Sequence, residues 1–266
     1  MNWTLFRANL RTNWILLLFI ILIVMMYGSI SVSMFDPESA EIINSMLELM
    51  PEGIIKAMGF DDLGTDLTQY VSSYLYGFIM IIFPLIYIII TTNNIMARHI
   101  DRGSMAYLLT TPNSRVRIAS TQAFYLVKGI ALICMFNTLL IIFLSMSMFP
   151  GMLDVERFLL LNLSTFLVLT LLGGIAFLSA CSFSESRWSL AVGAGIPILF
   201  FVVDMLSAIS EEVGWLQYAT VFTLMDPSRV LEGGLFVLIS CIATGVVSVL
   251  LYATGVVVFN RRSLAL

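Results

Sequence analysis

Six continuous apolar stretches constrain this chain more than any other feature of its sequence. They cover residues 14–34, 70–91, 129–148, 158–183, 189–208 and 235–259. A bilayer's hydrocarbon core is about 30 Å thick, and a helix of about 20 apolar residues crosses it. Backbone polar groups inside hydrocarbon must be satisfied within a helix or a closed barrel. Barrel strands alternate apolar and polar residues over about 10 positions, whereas these runs are unbroken. The expected fold is an all-α polytopic membrane protein, a single transmembrane domain over residues 1–266 with six transmembrane helices.

Composition supports the same class. The chain is 59% hydrophobic and 11% charged, with a mean hydropathy of +0.99. Soluble domains run near 45–50% apolar and about 25% charged, so a water-soluble enzyme and a disordered protein are excluded. The formal net charge of −4 leaves no basic footprint for nucleic acid. Cys134, Cys181 and Cys241 lie inside apolar runs, without metal-ligand spacing or a disulfide framework.

Lysine and arginine bias sets the expected orientation. With the N-terminus in the cytoplasm, six spans return the C-terminus there too. The cytoplasmic side then holds Arg7, Arg11, Arg98, Arg102, Arg115, Arg117, Lys128, Arg187, Arg261 and Arg262, and the outer side only Lys56, Arg157 and Arg229. The acids divide the other way, with only Asp101 and Glu185 inside and Asp204 near the outer end of span five. Arg7 and Arg11 ahead of an apolar run also fit a secretory signal ending near Ser29 and Ser31. Its cleavage would leave five spans, and the length of the run favours a retained helix.

The segments between spans carry the remaining information. Residues 1–13 place Trp3, Phe6 and Leu10 at helical spacing with Arg7 and Arg11 between them. They read either as an interfacial helix or as an extension of span one. The outer segment 35–69 has an interrupted apolar stripe, Ile42, Ile43, Met46, Leu47, Met50 and beyond, with Pro51 as a breaker. The segment 92–122 is polar and carries four arginines. A helix is expected up to Gly103, a short second one up to Thr111, then Pro112 as a boundary, with Asn113 or Ser114 capping the helix into span three. The result is an elbow, shaped either to dock another protein or simply to connect two spans. The outer segment 209–234 is expected to be structured, with Trp215, Tyr218 and Phe222 ahead of Asp226 and Pro227.

Several chemistries are missing. There is no Gly-x-x-x-x-Gly-Lys-Ser/Thr phosphate loop, and the lysines are Lys56 and Lys128 only. His99 is the sole histidine, so a histidine metal cluster is excluded. The spans lack the midplane ionisable groups of ion-coupled transporters. Asn137 and Asn162 are uncharged and suited to joining helices. The chain is therefore not expected to be an enzyme, nor to hold a cofactor or metal of its own.

The order of motifs resembles the permease subunits of ABC-2 type ABC transporters, in their short six-span bacterial form. The resemblance rests on Asp101-Arg102-Gly103-Ser104, then Leu108-Leu109, then Pro112-Asn113-Ser114-Arg115, and on Met50-Pro51-Glu52-Gly53 in the first outer segment. It implies an exporter subunit in the bacterial cell membrane, paired with a second permease chain as a homodimer or related heterodimer. It also implies two cytoplasmic ABC ATPase subunits supplying ATP and Mg. The elbow would be the coupling helix. Arg98, Asp101, Arg102, Gly103, Leu108, Leu109, Pro112 and Arg115 would be its coupling residues, and spans one and five would line the subunit interface. A hydrophobic or amphipathic cargo, such as the peptides moved by phenol-soluble-modulin exporters, suits the uncharged spans. An ion-coupled secondary transporter and a non-transporting immunity or assembly module are the competing expectations.

Overall fold

The computed structural model describes residues 2–36, 66–103, 105, 114–209 and 211–262. Nearly all of the outer segment 35–69 and most of the elbow apex, including Leu108, Leu109 and Pro112, lie outside them. Among the described residues, six helices are long and apolar enough to cross a membrane, and every regular element is helical.

Helix α1 (Trp3–Met34) begins where the Asn2 side chain accepts a hydrogen bond from the Leu5 amide, the role short polar residues play at helix starts. At ~1.5 Å per residue, its 32 residues exceed the ~30 Å hydrocarbon thickness. Residues 3–13 are the first turns of this same helix, with no break separating them from the apolar run.

The second apolar run divides into α2 (Leu67–Tyr76) and α3 (Ile79–Thr92). Between them Phe78 leaves helical geometry, with φ −139 and ψ −55, although its carbonyl still accepts from the Ile81 and Ile82 amides. Pro84 inside α3 removes a further backbone donor. The continuous span read from the sequence is thus a broken one. A π-turn, Asn93–Ala97, and a single α-turn, α4 (Arg98–Asp101), carry the chain out of the bundle.

Helices α5 (Arg115–Met148) and α6 (Val155–Ser182) are capped by Ser114 and Asp154, whose side chains accept from the Arg117 and Arg157 amides. Helix α7 (Ser186–Ile209) follows a short turn. Two 3-10 segments, Glu211–Ala219 and Phe222–Met225, and the short α8 (Pro227–Glu232) lead to α9 (Leu235–Arg261). In the sequence-expected structured segment 209–234, Phe222 and Met225 are buried against Ile81, Leu85 and Leu172. The segment is packed onto the bundle as folded structure.

Helix α6 is the central post, touching α3, α5, α7 and α9. The core around it includes fully buried Tyr76, Tyr87, Phe158, Phe177 and Phe259. Polar side chains tie the helices where no water competes. Asn162 Oδ1 accepts from Tyr76 Oη at 2.7 Å and from Thr138 Oγ1 at 2.6 Å, joining α2, α5 and α6. Asn137 is fully buried beside Gly28 of α1. The three cysteines are free thiols. Asp204 Oδ1 accepts from Thr220 Oγ1 at 3.0 Å, and Lys128 Nζ lies over the Phe6 ring at 4.9 Å.

Candidate functional site

The arginine-rich end of the bundle gathers most of the residues singled out above, and it is assembled by polar side chains reaching between helices. Asn94, in the π-turn, donates from Nδ2 to Asn13 Oδ1 at 3.0 Å. Asn13 donates to the Asn9 carbonyl at 3.2 Å. Asn9 Nδ2 donates to Gln122 Oε1 in a short bond, and Gln122 Nε2 donates back to the Ile95 carbonyl at 3.1 Å. The chain of bonds therefore closes on the π-turn from which it began, binding α1, the π-turn and α5 together. Asn9, Asn13 and Gln122 are buried. Fully satisfied buried networks of this kind rigidify what they join.

Arg98 extends the network outward, donating to Asn94 Oδ1 at 3.1 Å. It opens the one-turn helix α4, whose end is set by two backbone bonds, Arg102 N to Arg98 O and Gly103 N to Ile100 O. Gly103 then takes φ +67, a left-handed conformation that costs glycine little and other residues more. Sequence reading placed a helix end at this glycine, and the helix ends there. Asp101 and Arg102 are exposed.

Asp101 has a partner the sequence did not disclose. Its Oδ2 accepts from Ser186 Oγ at 2.9 Å, and Ser186 is the first residue of α7. A carboxylate at the start of a 24-residue helix also faces the positive end of its dipole. The stub that leaves span two is thereby fastened to the head of span five.

Arg115 sits apart from Arg98 and Asp101 in its contacts. Its guanidinium donates to the Arg262 carbonyl at 2.6 Å. Arg262 in turn donates to the carbonyls of Cys181 at 3.0 Å and Phe183 at 2.8 Å, and in a short bond to Ser184 Oγ. These carbonyls belong to the C-terminal end of α6, where orphan acceptors and the negative end of the dipole favour a cation. The start of α5 and the ends of α6 and α9 form one clasp.

Arg98 thus bonds back to Asn94 of the adjoining π-turn and Asp101 reaches across to α7, Arg102 and Gly103 finish the stub, and Arg115 belongs to the clasp. Leu108, Leu109 and Pro112 lie outside the described residues. Ser186, Arg262 and the Asn9–Asn13–Asn94–Gln122 network were not singled out from sequence. Asn9 and Asn13 carried a signal, standing four residues apart at the start of an otherwise apolar helix. Ser186 carried none. Among the described residues no group of histidine, cysteine, aspartate and glutamate has the arrangement of a metal site. No family model, curated protein or solved structure matches this chain.

Proposed function

We propose that the chain is the permease subunit of an ATP-driven ABC exporter, with the arginine-rich stub Arg98–Gly103 as its mechanical input. The observation that carries this reading is the hydrogen bond from Ser186 to Asp101, together with the network behind Arg98. A push on the stub reaches α1, α5 and α7 through directed bonds, without passing through a flexible linker. On this reading the arginine-rich end faces the cytoplasm of a bacterial cell, where lysine and arginine accumulate. Two ATPase subunits dock there and supply the ATP and Mg chemistry, and a second permease chain completes the route. The apolar, largely uncharged spans favour a hydrophobic or amphipathic cargo, a peptide among them.

The test is reconstitution. The purified chain alone hydrolyses no ATP, and an ATPase subunit co-purifies from the native membrane. Asp101→Arg lowers cargo-stimulated ATPase activity of the assembly several-fold while the helical signal of the chain stays intact. Unchanged coupling after reversal of Asp101 and Arg98 together overturns the assignment.

One feature favours the alternative of an ion-coupled secondary transporter. The break between α2 and α3 stands beside the buried Tyr76, Asn162 and Thr138, and discontinuous spans hold ions and substrates in such proteins. These side chains are all neutral, which places this reading second. Transport that survives ATP depletion and collapses with a protonophore would promote it.

A further inference from the structure

A small cleft separates the π-turn from the first half of α7. Thr92 and Asn93 line it on one side, Ser189 and Ala194 on the other, and Ala176 of α6 completes it. A Cβ on Gly193 would come within 3.2 Å of the Ala176 Cα, so α7 and α6 meet closely beside the cleft while α7 and the π-turn stay apart. Its free volume is about 10 Å3, enough for a single water and too little for a larger ligand.

Two buried atoms of this lining have no hydrogen-bond partner among the described residues, Thr92 Oγ1 and Asn93 Oδ1. Other threonines in the bundle satisfy themselves along their own helix. Thr138, Thr165, Thr170 and Thr244 each donate to the carbonyl four residues back, at 2.7–2.8 Å. Thr92 makes no such bond, although only 4% of its surface is exposed. A buried polar group without a partner costs several kcal/mol on water-to-alkane scales.

The two orphaned atoms differ in what they need. Asn93 Oδ1 is an acceptor only, and the Thr92 hydroxyl both donates and accepts. A ligand that serves them must donate to Asn93, accept from Thr92 and be no bigger than the cleft. Water does all three, and distorted helical turns are places where water enters a bundle. A cation of similar size could not donate to Asn93 Oδ1, and the exposed Arg98 and Arg102 close beyond it add like charge.

We propose that this cleft is a binding site for one ordered water, which completes the hydrogen bonding of the π-turn where it faces α7. The water donates to Asn93 Oδ1 and accepts from Thr92 Oγ1. The junction between the π-turn and α7 is then held at two levels, by the bond from Ser186 to Asp101 at the surface and by hydration deeper in. The site is independent of the transport reading, since it needs only these side chains and water.

The direct test is a structure of the full chain in lipid nanodiscs at a resolution that shows ordered water. One peak is expected within hydrogen-bonding distance of both Thr92 Oγ1 and Asn93 Oδ1. A cleft closed by either side chain turning onto a protein partner, or a peak with the crowded short contacts of a metal ion, overturns the proposal. Denaturant unfolding in micelles supplies a second test. Thr92→Val with Asn93→Leu removes both orphaned atoms at nearly constant volume, and Ala194→Val fills the cleft. In the unsubstituted chain Ala194→Val evicts the water and strands both atoms, so the unfolding midpoint falls. In the Thr92→Val, Asn93→Leu chain it fills a dry apolar gap, so the midpoint holds or rises. An equal fall in both backgrounds means overpacking of a cleft that held no water, and also overturns the proposal. Should the substituted chains not fold, the structure of the unsubstituted chain decides.

Discussion

Single residues in this bundle have consequences set by how close the helices come. A Cβ on Gly129 would stand 1.8 Å from Tyr87 Oη and 2.5 Å from its Cζ, and Tyr87 is fully buried. Gly129→Ala is therefore expected to destabilise the chain by about 1–3 kcal/mol, the usual cost of overpacking. The measurement is denaturant unfolding in detergent micelles. Adding Tyr87→Phe to Gly129→Ala should cost less than the sum of the two single changes, because the closest atom is gone. Strict additivity would show that the ring had moved freely aside. Asn162 behaves differently, since it works through hydrogen bonds. Asn162→Ala strands the Tyr76 hydroxyl, while Thr138 keeps the Cys134 carbonyl at 2.8 Å, and a loss of about 1–3 kcal/mol is expected for a buried group stranded this way. Thr138→Val removes only one donor and should cost less in the same assay. Asn162 was recognisable in the sequence as a joining residue because it is polar within an apolar run. Gly129 was not, because the sequence shows no sign of the tyrosine that needs its space.

At the level of elements, the clasp at the ends of α5, α6 and α9 makes a separate prediction. Arg262→Gln removes the fork that reaches the Cys181 and Phe183 carbonyls. Amide hydrogen exchange should rise at the last turn of α6, the 183–185 turn and the last turn of α9, with the centres of those helices unchanged. Uniform exchange changes along the chain would argue that Arg262 supports the whole bundle. Ser186→Ala tests the other junction. It removes the hydroxyl donor to Asp101 with little change in volume. On the exporter proposal, it should weaken coupling between ATP hydrolysis and transport about as much as Asp101→Asn does, and the double variant should be no worse than either single. The broken second span shows why elements were only partly legible. Gly77 and Pro84 lie within the run, but hydropathy continues across them and the run reads as a single span. Only packing against α6 and the 209–234 segment decides whether a helix persists there.

For the whole molecule, number and placement of spans were readable because apolar length is a thermodynamic requirement of hydrocarbon and leaves an unmistakable trace in the chain. The segment 209–234 was legible as structured but not in detail, since its two 3-10 segments follow no apolar period. The arginine-rich end was legible in its charges and its terminating glycine. The contacts that integrate it, from Asp101 to Ser186 and from Arg115 to Arg262, join residues 85 and 147 positions apart, a separation that composition and spacing do not bridge. Orientation has its own measurement. A cysteine at Gly103, in a chain whose own Cys134, Cys181 and Cys241 are changed to serine or alanine, should react with an impermeant maleimide only after the cells are opened. Labelling of intact cells would place the stub on the outer face.

The π-turn at Asn93–Ala97 has a mechanical implication of its own. It winds an extra residue into a single turn, so the helix leaving it is out of phase with the helix entering it by one position, about 100° of rotation on an α-helix. Expelling that position would swivel the Arg98–Asp101 turn about its axis and swing both side chains away from Asn94 and Ser186, with no span dissolved and hardly any change in length.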